Sequence, residues 1–133
     1  MILICGIPNA GKTTFSKHYK NVIHWDELHS RSEQRRKDIE DIVKNSKDNI
    51  CIEGMYNHPN TRKSLVEASN QFNICIWIDT PEEVCLQREY NFRNRPAGLV
   101  LHHAKVFQPP TYEEGWDRIL VVRDNKVSFI NKE

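Results

Sequence analysis

Short apolar runs alternate along this chain with longer stretches in which apolar residues recur at helical spacing. Ile2–Cys5, Val22–His24, Ile50–Ile52, Ile74–Ile78 and Ile119–Val122 are brief and mostly β-branched, the pattern of strands buried in a parallel sheet. Helix punctuation lies between them. Thr80-Pro81-Glu82-Glu83 combines a capping residue, a proline at the first helical position and a glutamate at the third. Ser30 with Glu33 and Thr111 with Glu114 have the spacing of capping boxes, and Ile39, Ile42 and Val43 lay an apolar stripe along segment 33–47. The alternation predicts an α/β fold of three layers, a mainly parallel sheet covered by helices on both faces. The end of the chain departs from it. Ile119–Arg123 and Val127–Ile130 flank Asp124-Asn125-Lys126, which predicts a hairpin closing the sheet with an antiparallel edge, a surface on which another strand could pair.

Composition narrows the partners. The 133 residues contain 19 Lys plus Arg and 18 Asp plus Glu, a net charge of +1. Such balance does not suggest a wholesale basic coat for nucleic acid or membrane, though a local basic face stays compatible with it. No repeat or Gly/Ser linker divides the chain, so residues 1–133 read as a single domain. No apolar run approaches the roughly 18 residues of a membrane span. Met1–Gly6 has the look of a strand, not of a signal peptide, and a cytoplasmic protein is expected. Cys5, Cys51, Cys75 and Cys85 form no C-x-x-C pair and read as reduced thiols packed in a core.

One motif carries specific chemistry. Gly6-Ile7-Pro8-Asn9-Ala10-Gly11-Lys12-Thr13 fits G-x-x-x-x-G-K-[ST] and stands between a predicted strand and a predicted helix. Its glycines let successive N–H groups turn inward toward phosphate oxygens, and the helix beginning at Lys12 adds its positive end. Lys12 then reaches the β- and γ-phosphates, and the Thr13 hydroxyl joins the shell of a Mg²⁺ ion. Gly6, Pro8, Asn9, Ala10, Gly11, Lys12, Thr13 and Thr14 are therefore the expected contacts to a nucleoside triphosphate, with ATP and Mg²⁺ as the cofactors.

Residues at the carboxyl ends of the other strands suggest what is done with the phosphate. Asp26, read as ending a strand beside the phosphate loop, either accepts the proton of an attacking hydroxyl or caps the following helix. Glu53 ends the third strand, where it orients the metal's water, holds the acceptor or stands exposed in a loop. Arg88, then Arg93 and Arg95 before Pro96-Ala97-Gly98, form a candidate lid whose cations neutralise charge on the transferred group. Arg35, Arg36 and Lys37 read as a solvated basic face, with Arg31 open as an acceptor contact. Among the tryptophans, Trp77 and Trp116 read as core, and Trp25 is the candidate stacking platform beside Asp26.

Taken together these segments resemble the 5′-polynucleotide kinase family of P-loop phosphotransferases. The resemblance rests on the phosphate loop with Pro8, the strand ending in Asp26, and Glu53-Gly54-Met55-Tyr56-Asn57-His58-Pro59-Asn60-Thr61-Arg62. It extends through Ile78-Asp79-Thr80-Pro81-Glu82-Glu83-Val84-Cys85 with its arginines to Phe107–Trp116. It implies transfer of the γ-phosphate of ATP, with Mg²⁺, to a 5′-hydroxyl end of DNA or RNA, with separate end-healing or ligase proteins as partners. By position it makes Asp26 the general base, Lys12 and Thr13 the loop pair, Arg93 or Arg95 the lid arginine, and Arg62 a recurring arginine grouped with the substrate contacts. Two departures stand out. His29 occupies the place of an arginine that holds the acceptor's 3′-phosphate in phage-type members, with Arg31 two residues on, and Glu53 replaces a common aspartate. A kinase for a small hydroxylated acceptor, and a nucleotide-binding module that transfers nothing, are the alternative readings.

Overall fold

The computed structural model describes residues 1–28, 31–92 and 96–132. His29, Ser30, Arg93 and Arg95 thus lie outside the described residues, and so do the readings that rest on them. Five parallel strands, β1 (Ile2–Cys5), β2 (Val22–His24), β3 (Cys51–Glu53), β4 (Ile74–Ile78) and β5 (Arg118–Arg123), are joined by β6 (Lys126–Ile130), which pairs antiparallel with β5. The order across the sheet is β2-β3-β1-β4-β5-β6. The helices are α1 (Lys12–Ser16), α2 (Ser32–Asn45), α3 (Pro59–Ala68), α4 (Glu82–Phe92) and α5 (Leu99–Val106), with single 3₁₀ turns at Trp25–Glu27 and Tyr112–Glu114.

The alternation of side chains along β1 explains the three layers. Leu3 points into a core with Ile39 and Val43 of α2, Leu65 of α3 and Trp116, whereas Ile4 points into a core with Cys85 of α4 and Val100 of α5. Both residues are fully buried, as a strand covered on two faces requires. Of the apolar stripe on α2, Ile39 and Val43 enter the core and Ile42 stays exposed, since it falls on the flank of the buried face.

Three expectations about local structure need adjusting. β2 is not beside the phosphate-loop strand, because β3 pairs with both β1 and β2 and separates them. The hairpin loop is two residues, not three: Asp124 and Asn125 both take left-handed φ values, 49° and 61°, and Lys126 already pairs with Arg123. The Thr111–Glu114 capping box is present, but on a single 3₁₀ turn. All four cysteines are buried free thiols, as expected.

Candidate active site

The phosphate loop follows from where glycine is indispensable. A Cβ on Gly6 would stand 2.8 Å from the backbone oxygen of Ile78, so only glycine lets β1 turn away here beside β4. Gly11 takes φ 104° at the N-cap position of α1, and Asn9 is also left-handed at φ 64°. These turns curl residues 6–12 into a cradle at the carboxyl edge of the sheet. Lys12 is buried with its ammonium inside the cradle, donating to the Ile7 carbonyl over 2.7 Å. From outside, Thr80 Oγ1 donates to the Ala10 carbonyl at 2.6 Å and Arg88 Nη1 to the Asn9 carbonyl at 2.8 Å. Thr80 thereby ties the approach to α4 to the loop, and Arg88 brings a cation to its rim.

Glu53 completes the loop from the neighbouring strand. Its Oε1 accepts the Thr13 hydroxyl at 2.8 Å and lies 3.0 Å from His24 Nδ1. Since β3 lies directly against β1, its last residue faces the first turn of α1, which explains the meeting. A magnesium nucleotide fits this set. The donors are backbone N–H groups, Lys12 and the amide nitrogen of Asn9, which is buried with no hydrogen-bond partner. Thr13 and Glu53 supply the oxygen ligands and hydrogen-bond acceptors that Mg²⁺ and its waters use. The cavity over the loop measures about 770 Å³ and runs from Thr13 and Glu53 past Arg88 to Phe92, Val122 and the hairpin turn at Asp124 and Asn125.

A second cavity of about 410 Å³ opens beside it, walled by Trp25, the first turns of α2, the loop Met55–His58, Thr61 and His103. Gly54 leaves this wall room to pack, since a Cβ there would stand 3.0 Å from Trp25 Cβ and 3.1 Å from the Tyr56 ring. Trp25 and Tyr56 meet edge to face, their centroids 5.4 Å apart. Tyr56 has φ 44°, a left-handed backbone that a bulky residue adopts only when its surroundings enforce it. The enforcement is visible: Arg62 Nη1 donates to the Tyr56 carbonyl at 2.6 Å. Burial pushes the Tyr56 phenol up from its ordinary value, with the nearby Glu40 carboxylate adding to the shift.

Of the residues singled out from sequence, the loop residues and Glu53 converge. Asp26 is exposed on the 3₁₀ turn next to Trp25, adjacent to the second cavity's wall. Arg31 is exposed at the N-cap position of α2, one residue before the wall begins at Ser32. Arg62 is not a surface contact. It is fully buried, and its Nε and Nη2 donate to Glu114 Oε1 and Oε2 at 2.7 and 2.9 Å. Burial alone would lower its pKa, but the bonds and charge of Glu114 outweigh that and raise it. Arg62 therefore braces the cavity wall from behind and has no face left for a substrate. Sequence reasoning missed His24, Tyr56, Asn57 and His103, and it left Arg36 on a solvated face although it lines the cavity. Tyr56 and Asn57 could have been found from their place just after β3 and His24 from its place at the end of β2, whereas His103, on α5, carried no such signal.

No protein family and no curated protein matches the chain. Solved structures do. A gluconokinase from Sinorhizobium meliloti 1021 aligns with a TM-score of 0.72 at 16% identity, over 91% of this chain and 80% of that one. A shikimate kinase from Acinetobacter baumannii in complex with shikimate aligns at 0.62 and 19%, over 94% and 83%. A structure from the PezAT chromosomal toxin–antitoxin system of Streptococcus pneumoniae aligns at 0.60 and 18%, over 95% and 69%. The chain has the fold of the P-loop kinases. In the P-loop kinase fold seen here, no helix among the described residues is long and apolar enough to cross a membrane.

Proposed function

We propose that this chain transfers the terminal phosphoryl group of a nucleoside triphosphate, ATP by default, to a hydroxyl of a small acceptor seated in the second cavity. The observation that carries this reading is the continuity of one short segment: Glu53 lines the phosphate-loop cavity, and Met55–His58, beginning two residues later, line the other. Two extended residues span only about 7 Å, so a donor phosphate and an acceptor hydroxyl held in the two cavities lie close together. The backbone N–H of Gly6 donates to the Met55 carbonyl at 3.4 Å, a further link between loop and wall.

In this reading each residue has a defined task. The loop N–H groups, Asn9 and Lys12 bind the β- and γ-phosphates, and Arg88 screens their charge from the rim. Thr13 and Glu53 hold the magnesium ion, which when bound neutralises charge developing on the transferred group. Asp26 accepts the proton of the acceptor hydroxyl as its oxygen bonds to the γ-phosphorus, and the bond to the bridging oxygen breaks to release the nucleoside diphosphate. Arg93 and Arg95 remain candidate lid cations on sequence grounds.

The acceptor class is where the proposal moves away from the sequence resemblance. None of the three structural neighbours named above is a polynucleotide kinase, and two are named for small hydroxylated acceptors. A 5′-hydroxyl nucleic acid end is thus the lesser reading, and its end-healing partners go with it. The test is transfer of labelled γ-phosphate from Mg·ATP to small alcohols, sugars and nucleosides beside 5′-hydroxyl DNA and RNA, with Asp26→Asn as control. The expected result is labelling of a small acceptor and a loss of about 10²-fold or more in the variant. Bound ATP with no labelled acceptor would leave a nucleotide-binding module instead.

A further inference from the structure

The wall of the second cavity points to the chemistry of its occupant, an inference that rests on the transfer reading just given. Its volume, about 410 Å³, lies in the roughly 300–1,000 Å³ range of small-molecule sites. The charged residues of the wall are Glu33 and Arg36, which cancel. Arg36 is also engaged, its Nε 3.4 Å from Glu40 Oε2 one helical turn on. Arg62, on α3 behind the wall, is sealed on Glu114. A carboxylate or phosphate entering this cavity would leave water to meet Glu33 as well as Arg36, whose charge is already shared with Glu40.

What the wall does offer is a flat apolar surface with a polar margin. Trp25, Met55 and Tyr56 make the apolar part, and the edge-to-face packing of the two rings fixes the plane of the indole. Next along the wall, the Asn57 carboxamide is tied to His103, its Nδ2 2.7 Å from the imidazole Nδ1. Asn57 Oδ1 and Tyr56 Oη are both buried with no hydrogen-bond partner, polar capacity in the wall residues that no protein group uses.

We infer that the acceptor end entering this cavity is uncharged and flat: a hydroxylated compound built on a planar ring, of nucleoside size, that lays its ring on Trp25 and directs its polar edge to Asn57 and His103. This sets the chain apart from its gluconate- and shikimate-named neighbours, whose acceptors are carboxylates.

The experiment uses the full chain with Mg·ATP and three sets of probes: uncharged nucleosides, the carboxylates gluconate and shikimate, and a 5′-hydroxyl oligonucleotide. Transfer is read as labelled product, and binding is read separately as quenching of the fluorescence that Trp25→Leu removes. The expected result is a kcat/KM for at least one nucleoside about tenfold or more above either carboxylate, with nucleoside quenching. Trp25→Leu should raise the nucleoside KM by about tenfold, and Trp25→Phe should restore most of it. Equal or better transfer to a carboxylate overturns the inference and leaves the transfer reading standing. Nucleoside quenching without transfer to any probe does the reverse. Transfer to the oligonucleotide alone keeps the ring chemistry and assigns it to a chain end. Neither quenching nor transfer with any ring compound overturns the inference, whatever else is phosphorylated.

Discussion

The hydroxyl of Thr13 donates to Glu53 Oε1 across 2.8 Å, joining two residues forty positions apart at the mouth of the phosphate loop. Thr13 belongs to the first turn of α1 and Glu53 to the end of β3, so the bond exists because β3 lies directly against β1. It makes Glu53 the carboxylate that orients the loop hydroxyl. Glu53→Gln keeps a hydrogen-bond acceptor and removes the charge. The expected outcome is a loss of about 10- to 100-fold in phosphoryl transfer, with nucleotide affinity in the presence of a chelator unchanged. Steady-state kinetics beside calorimetry with and without Mg²⁺ would check both parts, and wild-type transfer would remove Glu53 from the site.

His24 reaches the same oxygen from the other side, its Nδ1 3.0 Å from Glu53 Oε1. An acceptor shared by two donors is fixed in orientation, which makes His24 a positioning residue for Glu53. His24→Leu should weaken the Mg²⁺-dependent part of nucleotide binding by about tenfold, and His24→Asn, which retains a donor near the same place, should recover much of it. Equal behaviour of the two variants would show that only packing matters there.

Behind the second cavity, Arg62 and Glu114 form a buried network in which Glu114 also accepts from Trp116 Nε1 at 2.9 Å and from the backbone of Thr111 at 3.1 Å. Removing one partner strands a charge in the core. Arg62→Met should therefore cost about 3–5 kcal/mol in urea unfolding, and pairing it with Glu114→Gln should return part of the loss. A cost below about 1 kcal/mol would mean that water reaches Glu114 once the guanidinium is gone.

The contrast between Glu53 and Arg62 shows what the sequence made legible. The strand–helix alternation, the phosphate loop and the terminal hairpin were readable because each is local: a period, a motif, a turn. Glu53 was within reach, since residues ending parallel strands gather at one edge of the sheet. Arg62 was not, because its partner lies 52 residues away and the Thr111–Glu114 spacing already had a local explanation as a capping box. Both hold, and the same carboxylate does both jobs. The position of β2 was misread for the same reason, because chain order does not reveal that β3 inserts between β2 and β1.

The cysteines yield a prediction with a pH window. Burial, reinforced by the Glu53 carboxylate, pushes the Cys51 thiol from 9.0 up to about 12, and burial also raises Cys75 and Cys85. At pH 8 the Cys51 thiolate fraction is then on the order of 10⁻⁴, so the folded chain should resist iodoacetamide and release all its thiols only on unfolding. A group whose folded pKa is raised supports the fold below its unfolded pKa and loses that support as pH climbs to the folded one. Stability should therefore fall between about pH 9 and 12. Rapid alkylation of native protein at pH 8 would contradict the burial.

Gly54 links packing to the wall of the second cavity most directly. A methyl group there would press on Trp25 Cβ at 3.0 Å and on two Tyr56 ring carbons at 3.1 Å, distances that force the neighbours to move. Trp25 Cβ can yield only by shifting the turn that carries Asp26, and the Tyr56 ring only by turning within its buried site. Gly54→Ala should cost about 1–3 kcal/mol of stability, as overpacking in a filled site does. Because Gly54 follows Glu53 without itself lining the phosphate cavity, nucleotide affinity should hold while the acceptor KM rises. Thermal unfolding, nucleotide calorimetry and acceptor kinetics on the one variant would separate these effects. A stable variant with an unchanged acceptor KM would show that the Trp25–Tyr56 wall does not shape the site.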